Sequence, residues 1–140
     1  GDGYQNPRFV SDHPAVLGAM GMLAPLSSTD SSKMKNTLQE VLSTWNWSST
    51  WGWDYPLMAM TAARLKESDL AINLLLMPQE KNRYLINGHN YQDKRLRLYL
   101  PGNGGLLTFL AWMTKGKMGN ANFSGFPSGW DVRVEDFSIK

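Results

Sequence analysis

The chain has 140 residues, enough for one domain, and no cysteine, which excludes disulfides, thiol catalysis and thiolate metal sites. Its 42% hydrophobic and 19% charged residues are the composition of a folded globular chain rather than a disordered one. A net charge of +2 provides no basic field for nucleic acid, and the densest basic patch is only Lys94-Arg95-Leu96-Arg97.

The N-terminus, Gly1 to Asn6, has neither a basic nor an apolar leader region, which reads as a mature or excised fragment. Residues 14–24 are apolar all round and predict a buried helix, with Pro14 in its first turn and Pro25 ending it, although Gly18 and Gly21 weaken it. Asp30 opens a second helix. Met34, Leu38, Val41, Leu42 and Trp45 fall on one helical face, and Lys33, Lys35, Asn36, Gln39 and Glu40 on the others. An aromatic loop over 46–53 leads to a third helix from Asp54, with Pro56 in its first turn. Ser68 or Asp69 caps a fourth helix that runs to about Met77, where Pro78 stops it.

Residues 78–102 lack helical periodicity but carry Tyr84, His89, Tyr91 and Tyr99, which predicts a long ordered loop. A last helix is expected from Asn103 or Gly104 to about Thr114. The alternation of Trp130, Val132 and Val134 with Arg133 and Glu135 predicts a short C-terminal β-strand over 130–139. No apolar run reaches the ~18 residues of a membrane span.

Three motifs could carry chemistry. Trp51-Gly52-Trp53-Asp54 puts a carboxylate beside aromatic faces of the kind that cover the apolar side of a sugar ring. Asp54 also reads as a helix N-cap and the Trp residues as core, and the two readings are compatible. Asn87-Gly88-His89-Asn90-Tyr91-Gln92 gathers five hydrogen-bonding side chains suited to a polyol, while its Asn-Gly pair equally reads as a hairpin turn. Pro101-Gly102-Asn103-Gly104-Gly105 brings glycines to a helix entry, where backbone N–H groups stand free, or forms a tight turn into a buried helix. It lacks the Lys-Ser/Thr pair of a phosphate-binding loop. His89 has no second His or paired carboxylate nearby, so no metal and no cofactor is expected. His13, in Asp12-His13-Pro14, reads as a capping or packing residue.

These motifs, in this order, resemble the C-terminal region of bacterial six-hairpin glycosidases with an (α/α)6 barrel, over roughly residues 11–136. The resemblance implies a mainly α fold of antiparallel helical hairpins forming part of an (α/α)6 toroid, within a single domain over 1–140 that is the C-terminal piece of a larger barrel. It further implies a periplasmic or extracellular glycoside hydrolase acting on a glycan. Trp51, Trp53, Asn87, His89, Asn90, Tyr91, Gln92 and Asn103 would bind substrate, and Asp54 is the nearest catalytic carboxylate. The chain is more distantly similar to inverting α-L-fucosidases, which carry an Asp as general base before a late barrel helix. Pro101 stands at that position here, so that base is not carried over. Glu40, Glu67 and Glu80 fall on solvated faces or helix ends, so the acid–base pair is not completed within the chain. Twelve helices with short connections need roughly 180–220 residues. The missing helices would leave apolar surface for the rest of the barrel or for a second copy to cover. The alternatives are a non-catalytic carbohydrate-binding module and a purely structural helical module.

Overall fold

The computed structural model describes residues 3–117 and 122–135. The described residues are mainly helical: α1 Ser31–Thr44, α2 Asp54–Arg64, α3 Ser68–Leu75 and α4 Leu100–Lys117. Short 3-10 turns lie at Gly3–Gln5, Ala15–Ala19 and Trp47–Ser49, and β1 Arg83–Tyr84 pairs antiparallel with β2 Asn90–Tyr91. Among the described residues no helix is long and apolar enough to cross a membrane.

α1 starts where its cap chemistry dictates. The Asp30 carboxylate accepts the backbone N–H groups of Ser32 and Lys33 at 2.9 and 3.0 Å, two donors that the first helical turn leaves unpaired. Met34, Leu38 and Val41 face the core as their spacing requires. Burial of such side chains stabilises by roughly 1.5–3 kcal/mol each.

α2 is the centre of the fold. Every residue from Asp54 to Ala63 is buried, because α3, α4, α1 and the Ala15–Ala19 turn pack around it. The small Ala59, Ala62 and Ala63 side chains are fully buried, which lets neighbouring backbones approach. The helix stops at a left-handed Lys66, φ 66°, with Lys66 N–H bonded to Ala63 O and Glu67 N–H to Ala62 O. That double closure satisfies its last carbonyls and turns the chain into α3. The cap position of α3 is Glu67, without a side-chain bond, and not Ser68 or Asp69.

Three sequence expectations are corrected. Residues 14–24 form only the five-residue 3-10 turn. Leu17 and Met20 are buried, but Val16, Met22 and Leu23 face outward, so the segment is not buried all round, and its glycines disfavour a full helix. Residues 130–135 have no strand assignment, and 136–139 of the expected strand lie outside the described residues. The last helix begins at Leu100 rather than Asn103, so Pro101 to Gly105 are its first turns and not a loop.

The expected ordered loop contains the β1–β2 ribbon, closed through Gly88 at φ 81°. Period-two alternation sends Asn90 and Gln92 inward, where both are fully buried, and leaves Tyr91 on the other face beneath the Arg83 guanidinium, 4.9 Å from the ring centre. The Asn90 amide donates to Lys81 O and Arg83 O, and its Oδ1 accepts from Gln92 Nε2 at 2.8 Å. Gln92 Nε2 also donates to Lys81 O, and Gln92 Oε1 accepts the Gly52 N–H at 2.8 Å. Asn103 completes the knot, accepting from Asn90 N–H at 2.9 Å and donating to Gly88 O at 2.7 Å.

Two glycines exist to admit these amides. A Cβ on Gly52 would stand 1.9 Å from Asn90 Oδ1, and one on Gly102 would stand 2.3 Å from the same atom. Gly102→Ala is therefore expected to lower unfolding stability by about 1–3 kcal/mol through overpacking. Asn90→Ala should cost a similar amount by removing the partner of one Gln92 N–H and the side-chain donor to Arg83 O, while Lys81 O keeps the bond from Gln92. Urea denaturation followed by tryptophan fluorescence measures both.

Candidate functional site

The loop that enters α2 supplies the site. Asp54 is the first helical residue and Trp53 occupies the cap position, so the expected N-cap role of Asp54 does not hold. The carboxylate instead turns back over its own loop. Its Oδ2 accepts the Trp51 N–H at 2.7 Å, and its Oδ1 lies 3.0 Å from His13 Nδ1. Asp54 is fully buried, whereas the His13 side chain is 31% exposed. Asp54 therefore presents no surface of its own to solvent, whereas the imidazole bonded to it does.

His13 is fixed from several sides. Asp12 precedes it at φ 63°, a strained left-handed conformation that Asp tolerates better than most residues. Its peptide is pinned by Asp12 N–H donating to Ser49 Oγ at 2.7 Å and by Trp45 Nε1–H donating to Asp12 O at 2.8 Å. The imidazole then lies 5.0 Å from the Trp53 ring and 6.0 Å from the Trp51 ring, centre to centre. Trp53 Nε1 points at His13 Nδ1 from 2.8 Å. On the far side, Trp51 meets Tyr99 at 5.6 Å. The Lys81 ammonium lies 5.8 Å from the Trp51 ring centre while donating to Gln92 O at 3.0 Å. Lys81 thus joins the aromatic wall to the buried amide knot.

The residues singled out in the sequence separate into three groups. Trp51, Trp53 and Asp54 come together, and Trp51 and Trp53 stay half-exposed. Asn90, Gln92 and Asn103 hold the three segments against one another, and the first two are fully buried with their polar atoms engaged. Asn87 and His89 lie at the ribbon tip, where Asn87 Oδ1 accepts the His89 N–H, and Tyr91 points away from the buried amides. Sequence reasoning missed His13, Tyr99 and Lys81 as members of the aromatic cluster. The pairing of His13 with Asp54 spans 41 residues and carries no local spacing. The one available hint was a His flanked by Asp12, in a chain with two histidines.

Burial, first of all, pushes the Asp54 carboxyl up from its ordinary 3.8 to about 6, against the pull of the Trp51 N–H and His13. Burial raises the Tyr99 phenol as well, followed by the nearby Asp54 and Asp12 carboxylates. Among the described residues no group of three or more His, Asp or Glu side chains could hold a metal ion. The chemistry available is proton transfer at an imidazole beside exposed aromatic faces.

The Asp54 shift has a defined sign. The folded chain keeps a proton that the unfolded chain releases near 3.8, so stability falls as pH rises from about 4 to about 6, by up to about 3 kcal/mol. Asp54→Asn is expected to remove that part of the slope. Denaturation midpoints recorded across roughly pH 3.5–7.5, a window that spans both 3.8 and about 6, measure it.

No protein-family model matches the chain, and no curated protein and no solved structure matches it, so the reading of this site rests on its own geometry.

Proposed function

We propose that the chain contributes a carbohydrate-binding surface to a glycan-hydrolysing protein of the six-hairpin type, in which its helices form part of an (α/α)6 toroid. The observation that carries this reading is the aromatic cluster in which Trp51 and Trp53 flank His13 and Tyr99 meets the Trp51 ring at 5.6 Å, with all three aromatic rings partly exposed. Aromatic faces bury the apolar C–H side of a pyranose, and the polar groups beside them match its hydroxyls. Asp12, His13, Lys81 and the phenol of Tyr99 supply those groups here.

The remainder of such a barrel would cover exposed apolar side chains such as Leu23, Leu26 and Leu107. A periplasmic or extracellular location belongs to the same proposal. The reading places direct ligand contact at the aromatic loop and Tyr99. It gives Asn90, Gln92 and Asn103 the supporting role of holding that loop in position.

Isothermal titration of the full chain against neutral and acidic oligosaccharides tests the proposal. Binding of at least one oligosaccharide is expected, weakened about tenfold or more by Trp51→Ala. Trp130→Ala, which removes an exposed ring outside the cluster, should leave the affinity unchanged. Equal losses from both substitutions, or no binding to any oligosaccharide by a folded chain, would sink it.

A further inference from the structure

His13 Nδ1 stands in a conflict that its neighbours resolve. Trp53 Nε1, 2.8 Å away, only donates, so a bond from it requires a lone pair on Nδ1. Asp54 Oδ1, 3.0 Å away, only accepts when ionised, so a bond to it requires a proton on the same nitrogen. A single ring nitrogen cannot do both.

The magnitudes are unequal. A neutral hydrogen bond to a half-exposed indole contributes about 0.5–1.5 kcal/mol, and water or ligand can replace it. A buried carboxylate that loses a partner costs several kcal/mol. Asp54 is fully buried, and its other hydrogen bond is the one from Trp51 N–H. The proton therefore belongs on Nδ1.

We infer that His13 is the hydrogen-bond acceptor of this site: it holds its neutral-state proton on Nδ1 toward Asp54 and presents the Nε2 lone pair to a hydroxyl of a bound sugar or to water. The identity of the ligand rests on the carbohydrate reading above; the state of the ring does not. There the ligand O–H donates a hydrogen bond to the Nε2 lone pair, and no covalent bond forms or breaks. The ring lies between two carboxylates, Asp54 at Nδ1 and Asp12 Oδ1 at 3.6 Å from Nε2. The Trp51 and Trp53 rings fix the plane of the imidazole, and the Trp53 indole N–H, left without Nδ1, becomes a donor for the same ligand. Asp54 is the positioning residue. The other ionisable groups at the site are Tyr99, within the field of both carboxylates, and Lys81 over Trp51.

Nitrogen-15 NMR of the imidazole in the full chain tests this, with His89→Asn leaving one histidine. At pH 8 Nδ1 is expected to be protonated and Nε2 to resonate downfield as an unprotonated nitrogen. Trp53→Phe should leave that state in place, whereas Asp54→Asn should move the proton to Nε2. An Nε2-protonated ring in the chain with Trp53 and Asp54 intact would overturn the inference, whether or not Asp54→Asn folds. Saturation with an oligosaccharide that binds by calorimetry should shift the Nε2 resonance, and an unmoved Nε2 would overturn its role at the ligand. A ring protonated on Nδ1 in a chain that binds no oligosaccharide would reject the carbohydrate reading and uphold the ring state. The reverse pair of results would do the opposite.

Discussion

Two amides sealed from water, Asn90 and Gln92, hold the working part of this molecule together. A buried amide left unpaired costs on the order of 1–3 kcal/mol for each lost partner, so a knot of this kind tolerates only one arrangement of its surroundings. Gln92 Oε1 accepts a hydrogen bond from the Gly52 N–H, in the aromatic loop, and Asn90 lies on Gly102, inside α4. Lys81 then carries the knot out to the face of Trp51. Three segments far apart in the chain are thereby fixed in mutual register by hydrogen bonds that water cannot replace. The half-exposed rings of Trp51 and Tyr99 inherit that rigidity.

The second constraint is electrostatic. Asp54 sits at the start of α2 with no exposure to solvent, and the low polarity of its surroundings disfavours its charge. Trp51 N–H and His13 are the groups that offset this cost. The strained backbone of Asp12 belongs to the same arrangement, since it aims His13 back into the fold and is held by Ser49 and Trp45.

Local chemistry made parts of this legible from sequence. Asp30 and the apolar spacing of Met34, Leu38 and Val41 specify α1 without reference to the rest of the chain, and the Asn-Gly pair marked the turn that Gly88 makes. Where the outcome depended on distant partners, the pattern misled. The alternation of Trp130, Val132 and Val134 reads as a strand, yet no described strand lies beside it. The apolar run at 14–24 reads as a helix, yet only part of it finds a surface to bury against. The polar cluster Asn87 to Gln92 was read as one ligand-facing group, although alternation along β2 divides it. Asn90 and Gln92 point inward and Tyr91 points out, a distinction that the two-residue period itself contains. His13 was beyond reach, because its meaning comes from a carboxylate 41 residues away.

The all-round burial of α2 bears on how such a site can change over generations. Ten consecutive residues, Asp54 to Ala63, have no free face on which a substitution can be absorbed. Mutational tolerance along this helix is correspondingly narrow, and drift there is held in check by packing before any question of ligand arises. The wall of the site is freer, since Trp51, Trp53, Lys81 and Tyr99 project from loops and are only partly covered. Substitution is thus accommodated more readily at these four side chains than along the helix beneath them.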